Sequence, residues 1–304
     1  MLEDEFTFAE LKYLKNKLFH PVIPNEREES LIRRGKKGQG IPRQARDDKK
    51  RIKIIHMRSL VDYQRMIKDE QELGLIRASM RIVGKVFEQV KKQLKKKVWT
   101  ETELAKFIKE AGLKLGAEDV SFSPIAASGA NAAIPHHVPS PKRLKAGESV
   151  IIDFGFKYKN YCSDFTRTVF LKRVPKRLEI AYNQVEKAYN ESIKFITFSC
   201  HQRGKEGVRA GDVYQRAVDV LAEKHLDKYF IHSLGHGTGL EIHELPNLSP
   251  KSKDRLENGM VFSIEPGVYL PKLGGIRLED LVYLKGGKVQ KFINISTDIK
   301  RNII

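Results

Sequence analysis

Cysteine is scarce in this chain of 304 residues: only Cys162 and Cys200 are present. Two thiols cannot build a disulfide framework or a cysteine-rich zinc site, and their scarcity fits a reducing compartment. Nowhere does the sequence approach the ~20 consecutive apolar residues that a membrane span needs. The opening stretch MLEDEFTFAELKYLKNKLF lacks both the positive start and the unbroken apolar core of a signal peptide. Glycine (22) and proline (12) stay below low-complexity levels. With 40% hydrophobic and 9% aromatic residues the composition also excludes disorder. These absences predict a soluble, cytoplasmic protein, long enough for one sizeable core.

Acidic residues are also in deficit, 38 against 56 Lys and Arg, for a net charge of +18. Residues 33–58 carry half of that surplus, with eleven basic side chains against Asp47 and Asp48. Such a run can face RNA or another polyanion, or it can be a solvated linker. It contains no aromatic residue on which a base could stack, so nucleic acid is the less expected partner.

The chain divides near residue 65. Residues 1–65 read as a short basic N-terminal region, with one amphipathic pattern (Phe6, Phe8, Leu11, Leu14, Leu18) stopped by Pro21 and Pro24. Residues 66–304 read as a packed domain. Leu73, Ile76, Met80, Val83, Val86 and Val90 recur at helical steps, and Thr100 with Glu103 forms a capping box for a second helix. VIIDFGF and YCSDFTRTVFL then predict a β-hairpin. Two further helical stretches follow, then a second hairpin from MVFSIEPGVYL and GIRLEDLVYL. The order helix, helix, hairpin occurs twice. It predicts an α+β fold of two pseudo-symmetric halves around a curved, largely antiparallel sheet.

Across a hairpin, partner numbers sum to a constant. Centring the first turn on Tyr158 and Lys159 sets Asp153 opposite Asp164, and centring the second on Lys272 sets Glu265 opposite Glu279. Each pair would have Cβ atoms ~5 Å apart. Four acids among apolar strand residues are costly without compensation. Arg167 and Arg277 could pair with them, but two converging acid pairs point to cations. HSLGHGTGLEIHELP adds His232, His236 and His243, whose intervening glycines favour a loop or short strand over a helix. His136, in GANAAIPHH, is a fourth candidate.

Taken in order, SGANAAIPHH, VIIDFGFKYKNYCSDFTRT, HSLGHGTGLEIHELP, GMVFSIEPGVY and GGIRLEDLV resemble the pita-bread-fold metallopeptidases of the Xaa-Pro aminopeptidase and prolidase branch. The resemblance implies a metallo-aminopeptidase or Xaa-Pro dipeptidase that hydrolyses the Xaa-Pro bond with a water activated between two divalent ions. It assigns Asp153 to the second metal, Asp164 and Glu279 as bridges, and His236 and Glu265 to the first metal. Glu265 is also the implied general base. His232 and His243 are implied to be catalytic and to face the substrate, with His136 beside it. Thr166 and Arg277 share strand parity with the acids and would hold them from behind. The oxygen-rich ligand set favours manganese, with cobalt, zinc or iron as alternatives. His137 and Cys162 are neighbours for which a structural role is the simpler expectation.

A methionine aminopeptidase is the nearest alternative, but that group lacks a counterpart of His232. The other alternative is a non-catalytic binding module with an RNA- or ribosome-contacting basic arm, which would have no need of a full ligand set. The implied partners are short proline-containing peptides. Typical relatives carry an N-terminal domain of well over a hundred residues that helps form the oligomer. About 65 residues stand in its place here, so a homodimer remains an open alternative.

Overall fold

A computed structural model of the chain describes residues 60–203 and 207–304. The amphipathic pattern at Phe6–Leu18 and the basic segment 33–58 lie outside them. Helix α1 is Leu60–Met66 and α2 is Glu70–Leu94. Asp69 caps α2 by accepting from Gln71 N and Glu72 N, while Glu72 accepts from Asp69 N. All six apolar positions read from the α2 periodicity are buried. Helix α3 is Glu101–Lys114, opened by the expected Thr100–Glu103 box, and α4 (Lys176–Arg203) and α5 (Ala210–Ala222) form the second pair.

The described strands begin with β1 Asp119–Val120, β2 Ile125–Ser128, β3 Ser149–Asp153, β4 Phe156–Tyr158 and β5 Tyr161–Cys162. Then come β6 Phe165–Phe170, β7 Val208–Arg209, β8 Gly235–Gly237, β9 Glu244–Leu248 and β10 Arg255–Leu256. The last are β11 Val261–Ile264, β12 Gly267–Leu270, β13 Gly274–Arg277, β14 Glu279–Lys285 and β15 Lys288–Lys291. The main sheet has eight strands in the order β2-β3-β6-β14-β11-β8-β9, with β15 on β14. Every ladder in it is antiparallel. The two expected hairpins supply its centre, and β6 and β14 join them.

In the second hairpin the expected register holds. Ile264 faces Asp280 and Gly267 faces Arg277, which keeps Glu265 level with Glu279. The first hairpin differs. Thr166, not Asp164, stands opposite Asp153, because Tyr158 pairs with Tyr161 around a turn made by Lys159 and Asn160. Both turn residues take positive φ (48° and 66°), as a two-residue hairpin loop requires. The turn centre therefore lies one residue later than the sequence reading put it. Partners shift by two, so Asp164 keeps its face and becomes a diagonal neighbour of Asp153.

Each helix pair covers one hairpin. Met80, Val83 and Phe87 of α2 and Leu104 and Ile108 of α3 pack with Ile152, Phe154 and Phe165. Tyr182, Val185 and Tyr189 of α4 and Val213 and Val220 of α5 pack with Phe262, Ile264 and Val282. The seam between α3 and the first hairpin is tight: a Cβ on Gly112 would lie 2.0 Å from the ring of the fully buried Phe156. Gly112→Ala should gain about 1 kcal/mol of helix propensity. It should lose about 1–3 kcal/mol to overpacking. The expected outcome is a lower urea midpoint, and a higher one would show that this seam is loose.

Candidate metal centre

Backbone pairing places the acids in one line. Asp153 of β3 is level with Thr166 of β6, which is level with Glu279 of β14, and Glu265 follows just beyond the end of β11. Neighbouring strands are ~4.8 Å apart, so these side chains cannot avoid one another. Asp153, Asp164 and Glu279 are 8, 5 and 2% exposed, and Glu265 is half-buried. All four line a cavity of about 660 Å³.

His236 reaches the acids from β8. A Cβ on Gly235 or Gly237 would lie 2.0 Å from the carbonyl oxygen of Ser263 or Leu245, so only glycine lets this strand sit where it does. Between them, His236 Nδ1 lies 3.0 Å from Gly237 O, which assigns the donor proton to Nδ1. Nε2 points the other way, 3.4 Å from both Asp164 Oδ2 and Glu265 Oε1. Burial works against a charge on His236, but Asp164 and Glu265 outweigh it and raise its pKa to about 9. The His243 ring lies 4.4 Å from that of His236, centre to centre, and makes no hydrogen bond among the described residues. His232, by contrast, has both nitrogens engaged, Nδ1 at 2.7 Å from Ser233 O and Nε2 at 2.8 Å from Tyr269 OH. His136 is exposed and lines the same cavity.

The polar partners sort the two arginines. Arg277 donates to Asp153 Oδ2, to Thr166 Oγ1 at 3.3 Å and to Tyr269 OH at 2.7 Å. Arg167 is fully buried and donates instead to Asp280 Oδ1 and to the Glu279 carbonyl. Thr166 Oγ1 donates to Glu279 Oε2 at 2.7 Å, and Ser263 Oγ donates to Glu265 Oε1 at 3.1 Å. One guanidinium therefore serves four acids. Burial raises the Asp153 carboxyl to about 7, with Arg277 opposing and Asp164 and Glu265 adding to the rise. Burial and neighbouring acids likewise raise Asp164 and push Glu279 well above the carboxylate range.

Two buried oxygens of these acids, Asp153 Oδ1 and Glu279 Oε1, have no hydrogen-bond partner among the described residues. Ligating atoms of Asp164, His236 and Glu279 lie within 4.8 Å of one another. Crowded acids, orphaned oxygens and an imidazole whose Nε2 faces two of those acids are what a divalent cation needs, the cation taking the place of the Nε2 proton, so the donor set fits metal.

Residues 74–286 match the model of metallopeptidase family M24. The chain belongs to that family, whose members are metallopeptidases with the pita-bread fold expected above. It is 35% identical over 243 residues to a Pyrococcus horikoshii Xaa-Pro dipeptidase, covering 78% of this chain and 66% of that one. Among solved structures it resembles the Bacillus anthracis Xaa-Pro dipeptidase (33% identity, TM-score 0.76, 82% of this chain and 67% of that one). It also resembles the Thermotoga maritima X-Pro aminopeptidase (34% identity, TM-score 0.74, 80% and 66%). The chain spans 59–66% of the length of the curated relatives it matches.

Several neighbours of the site are not among the residues expected from the sequence. Tyr269 joins Arg277 to His232, and its hydroxyl is pushed up to about 12, chiefly by burial. Asp62 and Arg65 of α1 line the cavity although they precede residue 66. Lys68 Nζ bonds Glu244 Oε2 at 3.0 Å, beside His243. His137 bonds Glu101, and the Cys162 thiol is buried against Leu240 O. Among the described residues no helix is long and apolar enough to cross a membrane.

The raised acids make a sign prediction for metal-free protein. Asp153 titrates near 7 when folded and near 4 when unfolded. Between those values the folded state holds a proton that the unfolded chain has released, so stability falls as pH rises. Chelator-treated protein should melt at a lower temperature at pH 7.5 than at pH 5, and added manganese should remove the difference. Equal pH dependence with and without metal would show that the acids are compensated from within the chain.

Proposed function

We propose that the chain is a metal-dependent peptidase that cleaves the Xaa-Pro bond, at the N-terminus of short peptides or in Xaa-Pro dipeptides. The observation that carries the reading is the buried line of acids with its two unpartnered oxygens, Asp153 Oδ1 and Glu279 Oε1. Substrate class is taken from the named relatives. In this reading Asp164 and Glu279 would serve both of two divalent ions, manganese being favoured by the oxygen-rich set. His236 and Glu265 complete one ion's ligands and Asp153 the other's. When bound, the ions supply positive charge to the acids and lower the pKa of a water at the site.

The chain's own side chains then divide the work. Glu265 Oε1 accepts from Ser263 Oγ and faces His236 Nε2, on the side where both would hold the ion, leaving Oε2 to accept a water's proton. His243, free of hydrogen bonds among the described residues, presents its ring N–H to the scissile carbonyl as negative charge develops there. His232 lines the cavity with both nitrogens engaged, so it orients substrate with its ring while His243 does the donating. Thr166 and Arg277 hold Glu279 and Asp153 in place. His136 meets the substrate from the mouth. We place the peptidase domain at residues 66–304, with α1 adding to the cavity wall. The proposed partners are short proline-containing peptides.

Assaying a dipeptide Xaa-Pro, a longer Xaa-Pro-Xaa peptide and a Met-Ala peptide with added manganese tests the reading. Cleavage confined to the proline peptides is expected; equal rates on Met-Ala would favour a methionine aminopeptidase. Asp164→Ala should abolish activity and reduce bound metal as measured by elemental analysis. His243→Ala should keep its metal and lose about a hundredfold in kcat, as removal of an oxyanion donor does. His236→Ala should instead recover partly at high manganese, because mass action offsets a lost ligand but cannot replace a missing donor. The reverse pattern would exchange the two assignments.

A further inference from the structure

Glu101 opens α3 on the far side of the segment that carries His136, and its side chain is fully buried. Its Oε1 accepts from Ser128 N at 2.8 Å and Ser128 Oγ at 2.7 Å. Its Oε2 accepts from Ser140 N at 3.1 Å, Ser140 Oγ at 2.7 Å and His137 Nε2 at 2.9 Å. Asn131 Nδ2 lies 3.1 Å from both oxygens. All of these donors belong to residues 128–140, and they include both ends of that segment. Though burial opposes it, so many donors hold the carboxyl down at about 2, so it is ionised throughout the working pH range.

Within the segment, His136 is held from two sides. Pro135 O accepts from Arg277 Nη1 at 3.3 Å, which ties the residue before it to the acid cluster. His137, the residue after it, is tied to Glu101. An exposed imidazole on a loop would ordinarily sample several positions; here the backbone on either side is fixed.

We propose that Glu101 is a positioning residue for His136, setting where that imidazole meets the substrate. The proposal rests on the peptidase reading above, in which His136 faces the substrate. Glu101 itself touches nothing in the cavity and acts through the loop. Loss of its negative charge should therefore act on substrate binding more than on turnover.

Glu101→Gln keeps the shape but turns acceptors toward donors. In the full manganese-loaded chain, at a temperature where circular dichroism shows it folded, KM should rise about tenfold with kcat within about threefold. His136→Ala should raise KM similarly. In the double variant the second change should add less than about twofold, since residues acting through one another are not additive. Fully multiplicative effects, or an unchanged KM in Glu101→Gln, would overturn the proposal. If Glu101→Gln does not fold, Ser140→Ala, which removes one donor, should show a smaller rise in KM and the same non-additivity. Hydrogen exchange separates this inference from the peptidase reading. Amides of residues 128–140 should exchange at least about tenfold faster in the variant while those of α2 do not change. Uniform acceleration or no acceleration would overturn the positioning role, whether or not any Xaa-Pro peptide is cleaved. Absence of cleavage by wild-type protein with localised exchange would instead overturn the peptidase reading alone.

Discussion

Like charges repel, and burial strengthens the repulsion, so the most demanding feature of this chain is the line Asp153, Thr166, Glu279 and Glu265 across four strands. Among the described residues Arg277 is the one guanidinium that reaches an acid side chain of the line, and its contact with Asp153 leaves Asp164, Glu265 and Glu279 to be balanced by other charge. Divalent cations answer that demand directly. The hydrogen bonds from Thr166 and Ser263 then do what an outer layer does around a metal, fixing one oxygen of each acid and leaving the other outward.

The opposite face of the same strands carries a second set of charges. Asp280 follows Glu279 in β14 and therefore points the other way, where it receives Arg167, the Tyr189 hydroxyl and Lys291. Arg167 also donates to the carbonyls of Thr166 and Glu279. Adjacent acids in one strand thus have separate duties: Glu279 faces the cavity, and Asp280 anchors the join between the two hairpins. The acid cluster is braced from behind by a network that reaches it only through the carbonyls of Thr166 and Glu279.

How much could be read beforehand depended on how local each signal was. Helices with period and cap together, such as Glu70–Leu94 and Glu101–Lys114, were legible because their information lies within a few residues. Glu265 and Glu279 were legible because their register follows from one turn centre. The same arithmetic misplaced Asp164 by two positions, since the choice of Lys159 and Asn160 as the left-handed pair is a backbone preference that residue types there do not announce. Glu101 was invisible as a hub: an acid in the first helical turn already has a sufficient local reason in the helix dipole. Lys68 with Glu244 was hidden for another reason, as 176 residues separate the partners and Lys68 belongs to no motif. The basic stretch 33–58 was plain in composition and lies outside the described residues.

Because the acids sit in paired positions on adjoining strands, the distance between their α-carbons is set by hydrogen bonds of the main chain. Side-chain packing only tunes it. Divergence can therefore replace much of the interior without respacing the ligands. What such a lineage cannot absorb is an odd-numbered slip between these strands, which would send Glu279 into the helix layer and Asp280 into the cavity.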